Sequence, residues 1–307
     1  MGDRDGPRSS ACGTARKVAG RKSARFCIDG SQGAVAFVIQ ITKIGEEPVE
    51  KVPYLAAGAN GKGVVLNKLP IFFGEMANIP DAYDAIIITS DLQGVIESWH
   101  GQQVLLGEAL PEMVSLLLEI EKPTISRERV LVLLCGDLYA DPWKRGSSGD
   151  SSSVWQAFQR EFGIVVGVVG NHDLFDSGSF AELQGMAGIT VINDPEMVQV
   201  SQLRIAGLGG IVGRVDKPNR RERKEFLKGM RELLRKQPDI LLLHQGPDEP
   251  SLDLQGLPEI RECLQQHPPV LVCCGHVHWE RSWIELAQGT QVLNADGKLF
   301  VFTRKSG

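Results

Sequence analysis

The chain has 307 residues, of which 42% are hydrophobic and 23% are charged, and its formal net charge at pH 7 is -5. This size and balance fit a globular protein with one large α/β domain, with or without an appended piece. The net charge gives no reason to expect nucleic acid or an acidic membrane as a partner. No apolar run approaches the roughly 18 residues that cross a bilayer.

The amino-acid composition of the N-terminal part of the chain changes at about residue 25. Residues 1–25 are polar, rich in Gly, Ser and Arg, and lack an apolar stretch, which predicts a disordered basic tail and not a secretory signal. Residues 26–80 contain short apolar runs between glycines and predict a β-rich N-terminal segment, either a small addition or the edge of the main sheet. We expect residues 81–307 to form the main domain.

The main domain alternates between strands and helices. Buried strands are predicted at residues 85–89, 130–134, 164–169, 240–243 and 270–274. Helices are predicted at residues 110–121, 154–162, 220–236 and 257–266, and short strands at 190–208 and 291–302. This alternation indicates a layered α/β fold with extra antiparallel strands at its edges. In such folds the ligand site lies beyond the carboxyl ends of the strands, where the loops converge.

Five of the strands are followed by side chains with metal-binding chemistry. These side chains are Asp91, Asp137, Asn171, His244 and the pair His276 and His278. The chain has six histidines, and four of them, these three and His172, follow strands. Carboxylate, amide and imidazole groups are the ligands expected for a pair of divalent ions such as Mn, Fe or Zn. Asp137 is placed to bridge two ions with its two oxygens.

The tetrad Gly-Asn-His-Asp at residues 170–173 also offers acid–base chemistry. The imidazole of His172 can donate a proton, and the neighbouring carboxylate of Asp173 can hold that imidazole in place. We therefore take His172 and Asp173 as candidate catalytic residues. The Trp-Lys-Arg sequence at residues 143–145, in the loop after the second strand, is a candidate for substrate contact.

The six cysteines indicate a reducing compartment. No two of them form a Cys-x-x-Cys pair, and Cys135, Cys273 and Cys274 lie in apolar, strand-like runs. Free, buried thiols in the cytoplasm are the simplest interpretation. Because adjacent residues of a strand point to opposite faces, a zinc site built on Cys273 and Cys274 is not expected.

Taken together, the motifs resemble those of a known family, the calcineurin-like metallophosphoesterases. The matching motifs are Ser-Asp-Leu-Gln-Gly at 90–94, Gly-Asp at 136–137, Gly-Asn-His-Asp at 170–173, His244 after its strand and Gly-His-Val-His at 275–278. Their order and spacing match over roughly residues 84–280. The resemblance implies a four-layer β-sandwich with flanking helices and a site that holds two divalent metal ions.

The resemblance also implies a role for each motif residue. One metal would be held by Asp91, Asp137 and His278, and the second by Asp137, Asn171, His244 and His276. His172 would lie beside the scissile phosphate and stabilise or protonate the leaving group, with Asp173 orienting it. The implied activity is hydrolysis of a phosphomonoester or phosphodiester by a water activated between two metals about 3.5–4 Å apart.

Gln93 departs from the family pattern. The first motif of the family usually reads Asp-x-His, and Gln93 stands where the histidine would be. An amide oxygen is a weaker donor to a transition metal than an imidazole, so the first metal would be bound more weakly, be a harder ion such as Mn, or be absent. Gln93 is therefore either a weak metal ligand or a hydrogen-bond partner of a ligand.

Two other functions compete with a phosphoesterase. In one retromer subunit a fold of this kind serves as a protein-interaction scaffold and its key histidine is lost, whereas here His172 is retained, which favours an enzyme. A nuclease similar to the phosphodiesterases of double-strand-break repair predicts a basic groove, and the acidic net charge speaks against it. The sequence leaves the substrate and the oligomeric state open.

Overall fold

The computed structural model describes residues 39–98, 101–268 and 270–305 of the chain. The predicted tail, residues 1–25, and residues 26–38 of the predicted β-rich segment lie outside these ranges. Cys12 and Cys27 lie outside them as well.

Within the described ranges the chain forms twenty strands, five α-helices and two short 3₁₀ helices. The strands are β1 (Gln40–Ile44), β2 (Glu50–Ala57), β3 (Val64–Ala77), β4 (Ala85–Ser90), β5 (Val95–Glu97), β6 (Gln103–Leu105), β7 (Val130–Leu134), β8 (Gly149–Asp150), β9 (Gly163–Val168), β10 (Asp173–Leu174), β11 (Ile189–Ile192), β12 (Glu196–Val200), β13 (Leu203–Leu208), β14 (Ile211–Val212), β15 (Arg220–Arg221), β16 (Ile240–Gln245), β17 (Leu271–Gly275), β18 (Trp283–Glu285), β19 (Gln291–Asn294) and β20 (Lys298–Arg304). The α-helices are α1 (Leu106–Glu121), α2 (Ser152–Phe162), α3 (Ser177–Gly185), α4 (Arg223–Arg235) and α5 (Pro258–Gln265), and the 3₁₀ helices are Arg127–Arg129 and Pro250–Leu252.

Most of the strands belong to two sheets. The first has ten strands in the order β11-β9-β7-β4-β20-β3-β2-β5-β6, with β1 paired to β3. The second has six, in the order β12-β13-β16-β17-β19-β18. Strand β3 runs parallel to β20, which in turn runs antiparallel to β4. Strands β1 to β3 are therefore part of the same sheet as the strands that carry the first motifs.

The alternation of side chains along each strand separates three apolar cores. In β4, Ile86 and Ile88 belong to a core shared by the two sheets, whereas Ile87 packs with residues of α1 and α2. In β16, Leu242 faces the shared core and Leu241 packs with residues of α4 and α5. Each sheet thus has one face on the other sheet and one face under helices, because successive side chains of a strand point to opposite faces. The predicted four-layer sandwich is confirmed.

The cysteines follow the same alternation. Cys273 lies in the core between the sheets and Cys274 in the core under α4 and α5. The two thiols therefore point to opposite faces of β17, as expected for adjacent strand residues. These two, Cys135 and Cys263 are free and buried.

Each of the four predicted helices is found, with bounds that differ from the predicted ones by up to four residues. Helix α4 begins at Arg223 because Arg220 and Arg221 form β15 and pair with Ile211 and Val212. Helix α3 was not predicted, since its sequence has no clear apolar stripe. Its start is fixed by the Asp176 carboxylate, which accepts hydrogen bonds from the backbone N–H groups of Gly178 and Ser179.

The topology brings the motif-bearing loops to one side of the molecule. Strands β4, β7 and β9 are parallel neighbours in the first sheet, and β16 and β17 are parallel neighbours in the second. Parallel neighbours end at the same edge of a sheet, and each of these five strands is followed by motif residues. In the described part of the chain, no helix combines the length and the apolar character needed to span a membrane.

Candidate metal centre

Three motif residues turn the backbone sharply at the ends of their strands. Asp91, Asp137 and His276 have φ angles of 55°, 54° and 71°. Few residues other than glycine adopt this left-handed region, and it costs of order 1 kcal/mol or more at each position. The turns direct these three side chains away from the sheets and into the space between the loops.

Two glycines allow neighbouring loops to approach each other closely. A Cβ atom at Gly170 would lie 2.1 Å from Asp137 Oδ1, and one at Gly275 would lie 2.1 Å from Ser90 Oγ and 2.2 Å from Asp91 Oδ2. Any larger residue would therefore push the carboxylates of Asp91 and Asp137 out of place. The glycines that precede Asn171 and His276 in the sequence have this steric role.

Asp137 lies at the centre of the site and its side chain is only 3% exposed. Its Oδ1 accepts a hydrogen bond from the backbone N–H of His172 at 2.8 Å, and its Oδ2 accepts one from Gln93 Nε2 at 3.0 Å. His244 Nε2 lies 3.3 Å from the same Oδ2 without forming a hydrogen bond. Both carboxylate oxygens thus face groups from other motifs.

The ring of His244 is fixed by the main chain of the first sheet. Its Nδ1 lies 2.8 Å from the carbonyl oxygen of Cys135, so Nδ1 carries the hydrogen and Nε2 faces Asp137. Burial by itself would lower the pKa of His244, but the carboxylates of Asp137 and Asp91 raise it, to about 10. In the metal-free protein His244 therefore holds a proton at neutral pH, which balances part of the negative charge.

Several donor atoms converge beside Asp137. Asp137, His244 and His276 each offer a ligand atom, and these atoms all lie within 4.8 Å of one another. Asn171 is buried, and its Oδ1 has no hydrogen-bond partner in the described structure; His244 Nε2 is in the same state. Leaving a buried acceptor unpaired costs about 1–3 kcal/mol. A divalent cation held by Asp137, His244 and His276 would take the place of the proton on His244 Nε2, and the amide oxygen of Asn171 is a ligand of the type such an ion accepts, so these residues fit a metal ion.

Asp91, Gln93 and His278 line one pocket together with Asp296. Asp91 Oδ2 accepts hydrogen bonds from Ser90 Oγ at 2.6 Å and from the backbone N–H of His276 at 2.9 Å. Desolvation raises the pKa of Asp91 well above its usual range. His278 is 61% exposed, and its Nδ1 lies 3.1 Å from Asp296 Oδ2, which leaves its Nε2 free.

His172 and Asp173 have different partners from those expected. The Nδ1 atom of the His172 ring lies 2.9 Å from Ser148 Oγ. The Asp173 carboxylate instead accepts three backbone N–H hydrogen bonds, each 2.8 Å long, from Asp137, Leu138 and Gly170. Asp173 therefore joins two of the metal-site loops, and Ser148 takes the place beside the His172 ring that the resemblance gave to Asp173.

Sequence reasoning missed two residues that contact the site. Ser148 lies in the Ser- and Gly-rich loop, whose composition alone does not distinguish one serine from another. Asp296 follows strand β19, so the same rule that selected Asp91 and Asp137, a polar residue after a buried strand, could have found it. The strands around Asp296 are short and partly antiparallel, so the sequence pattern of a buried strand followed by a polar residue is weak there.

Binding of a divalent ion at Asp137, His244 and His276 is expected to release about one proton near neutral pH. The raised pKa of His244 means that the ion must displace a proton from Nε2. Affinity for Mn should therefore rise by roughly tenfold per pH unit between about pH 7 and 9. Titration calorimetry in buffers of different ionisation enthalpy measures the proton count. A pH-independent affinity would contradict the assignment of His244 to the metal.

The chain was compared with family models, curated proteins and solved structures to identify its family. A family model described as calcineurin-like phosphoesterase matches residues 85–280. A search of curated proteins found no match to the chain. Among solved structures, the chain is similar to a hypothetical protein from Thermus thermophilus, with 17% sequence identity and a TM-score of 0.42, over 70% of this chain and 76% of that one.

Two nucleotidase structures are also similar. The NAD nucleotidase of Haemophilus influenzae is 18% identical with a TM-score of 0.36, over 72% of this chain and 44% of that one. The 5'-nucleotidase of Candida albicans is 11% identical with a TM-score of 0.38, over 69% of this chain and 45% of that one. The chain thus spans less than half of the length of either nucleotidase.

The assignment to a family depends on the sequence match, which covers the five motif-bearing loops from Asp91 to His278. These loops converge at one side of the two sheets, where Asp137 contacts residues of three of the other motifs. Because the match spans more than half of the chain, the protein belongs to the calcineurin-like phosphoesterase family.

Proposed function

We propose that the protein hydrolyses a phosphomonoester or a phosphodiester with the help of two divalent metal ions, of which Mn is the first candidate. The observation that carries this proposal is the convergence of ligand atoms from Asp137, His244 and His276, which all lie within 4.8 Å of one another. The buried Oδ1 of Asn171 has no hydrogen-bond partner in the described structure, which is costly unless a cation or another group pairs with it. Membership of a phosphoesterase family supports the reaction type.

The two ions would share Asp137. One would be held by Asp137, Asn171, His244 and His276, and the other by Asp91, Asp137 and His278, with Gln93 beside it. When bound, the ions would stabilise charge on the phosphoryl oxygens and activate the attacking water. The hydrogen bond of His278 to Asp296 supports this arrangement, because it fixes the ring with Nε2 free for a ligand bond.

His172 would act on the leaving group. Its backbone N–H is bonded to Asp137, which fixes the residue relative to the metal site. Its Nδ1 is occupied by Ser148, so Nε2 is the nitrogen that can give a proton to the departing oxygen as the P–O bond breaks. Asp173 would maintain the loop geometry through its three backbone hydrogen bonds.

The first test is hydrolysis of p-nitrophenyl phosphate and bis(p-nitrophenyl) phosphate by protein stripped of metal and reconstituted with Mn. We expect Mn-dependent turnover, and the ratio of the two rates identifies a monoesterase or a diesterase. Metal binding without turnover of either ester would call for a screen of other phosphate esters. If the protein neither binds metal nor turns over an ester, the proposal fails and the protein-interaction scaffold takes its place.

The His172→Gln variant is expected to lose about 10²–10⁴-fold in kcat while its metal content stays unchanged, because loss of a general acid has this effect. The measurement is kcat for p-nitrophenyl phosphate together with bound Mn by atomic emission. His267→Gln is the matched control, since the His267 ring hydrogen-bonds the Cys263 carbonyl of the adjacent helix α5. Loss of metal from His172→Gln would show that this residue is a ligand and not an acid.

The Gln93→His variant is expected to bind Mn roughly tenfold more tightly and to raise activity at limiting Mn, because imidazole is the better donor. In the structure Gln93 donates a hydrogen bond to Asp137 through Nε2, so the side chain already reaches the shared carboxylate. Gln199→His is the control, because the Gln199 side chain is exposed on strand β12. Unchanged dependence on Mn would remove Gln93 from contact with a metal.

A cytoplasmic location belongs to the same proposal. Four described cysteines, Cys135, Cys263, Cys273 and Cys274, are free thiols. Burial raises the pKa of Cys273 and Cys274 above the usual range of a thiol, so neither is a reactive thiolate at neutral pH. Free, inert thiols of this kind are typical of proteins in a reducing compartment.

A further inference from the structure

A polar pocket of about 530 Å³ adjoins the metal site. Asp91, Gln93, His278 and Asp296 line its inner side. A phosphate held at the metal site would therefore direct the rest of its molecule toward this pocket. The volume is sufficient for a small organic group, since ligand pockets start at about 300 Å³.

One wall of the pocket comes from strands that precede the region matched by the family model. Tyr54 on β2 and Asn67 and Lys68 on β3 line this wall. Tyr54 and Asn67 are directly opposite each other in the β2–β3 pairing. The Tyr54 ring packs against the first motif so closely that a Cβ at Gly94 would lie 2.1 Å from it. The β2–β3 hairpin is thus held in fixed contact with the loop that carries Asp91.

A second wall of the pocket is the loop between β7 and β8, which carries Lys144 and Arg145. This loop is braced by its own hydrogen bonds, from the Asp141 N–H to Ser147 Oγ at 2.7 Å and from the Ser147 N–H to the Lys144 carbonyl at 3.2 Å. It also lies against the catalytic tetrad, because a Cβ at Gly146 would be 3.7 Å from His172 Cε1. Lys144 and Arg145 are therefore held near His172.

Three of the cations around this pocket have no counter-ion. Lys68, Lys144 and Arg145 are exposed, and in the described part of the chain their side chains form no ion pair and no hydrogen bond. Lys298 differs, because its Nζ donates to the carbonyl of Trp279 at 3.1 Å. A single unpaired lysine on a protein surface is ordinary. Here three unpaired cations from two separate parts of the fold line the same pocket, which makes that pocket attractive to an anion.

We infer that this pocket binds a second anionic group on the substrate, such as a further phosphate or a carboxylate, through Lys68, Lys144 and Arg145. The inference rests on the proposed phosphoesterase function, which places the reacting phosphate at the metal site. It names the substrate class as phosphate esters whose leaving group carries a second negative charge.

The test uses three unreactive probes that share one phosphonate and differ in their second group. They are propylphosphonate, with no second charge, 3-phosphonopropionate, with a carboxylate, and propane-1,3-bisphosphonate, with a second phosphonate. Dissociation constants for the Mn-loaded full chain are measured by titration calorimetry. We expect at least one doubly charged probe to bind about tenfold or more tightly than propylphosphonate, and the better of the two identifies the second group.

The Lys144→Gln/Arg145→Gln double variant and Lys68→Gln are expected to reduce this preference by about tenfold and severalfold, respectively. Lys228→Gln, an exposed lysine on α4 in the other layer, should leave the preference unchanged. Equal binding of all three probes, or a preference that survives in both pocket variants, would overturn the inference. Turnover of p-nitrophenyl phosphate is recorded separately, so failure of the pocket and failure of the phosphoesterase proposal are distinguished.

Discussion

Replacing Asp137 with asparagine is expected to reduce hydrolysis of phosphate esters by roughly 10³-fold. Asparagine has nearly the same shape and can still accept the hydrogen bond from the His172 backbone, so the fold should persist. It has a single oxygen and no charge, so it cannot bridge two cations. It also removes the negative charge that raises the pKa of His244, so that ring loses the partner that stabilises its charged form.

The measurement combines kcat/KM for the more reactive p-nitrophenyl ester with bound Mn per chain. Asp216→Asn is the matched control, because Asp216 is an exposed aspartate that pairs with Arg214. Circular dichroism verifies that the Asp137 variant is folded. Activity within tenfold of the wild type in a folded Asp137→Asn protein would show that this carboxylate bridges no metal.

Replacing Asp173 with asparagine is expected to lower the free energy of unfolding by about 3 kcal/mol. Both carboxylate oxygens of Asp173 accept backbone N–H groups, and the residue is 1% exposed. Whichever way the amide is turned, its NH₂ group faces at least one N–H donor, so hydrogen bonds are lost and buried donors are left unpaired. The loops of Asp137 and Gly170 would then separate, and metal affinity should fall as well.

Urea unfolding monitored by tryptophan fluorescence measures this effect. Asp194→Asn is the control: Asp194 is 82% exposed and pairs with Arg221 at the surface, where an ion pair contributes less than about 1 kcal/mol. If the Asp173 variant is as stable as this control, the carboxylate does not hold the loops together. A variant that is as stable as the wild type but inactive would instead support the role implied by the resemblance, in which Asp173 orients His172.

The sequence was sufficient to predict a layered α/β fold and the positions of the motif residues at the strand ends. Apolar runs such as the one that contains Ile86 and Ile88 define the buried strands, and the residues after them lie at one edge of the sheets whatever the exact pairing. Asp137 and Asn171 could be singled out because polar side chains immediately after such runs have no place in a core. The four-layer arrangement came from the resemblance to a family and is confirmed by the three apolar cores.

The contacts between distant segments could not be predicted in this way. His244 is oriented by the carbonyl of Cys135, which lies 109 residues away in the chain. The position of Tyr54 against Gly94 depends on how β2 and β3 pair, and neither strand carries a signal for that partner. Asp173 is a similar case. Its position next to His172 in the sequence suggested that its carboxylate contacts the His172 ring, but in the structure the carboxylate accepts three backbone N–H hydrogen bonds instead.

The position of β20 in the first sheet has a consequence for synthesis of the protein. This strand lies between β3 and β4, and it pairs Leu299 with Ile71 on one side and with Thr89 on the other. While the ribosome is still adding residues before 298, β3 and β4 each have one edge without a partner. Unpaired edges of apolar strands join readily to other chains. The nascent chain is therefore expected to need protection by chaperones until residues 298–304 insert between the two halves of the sheet.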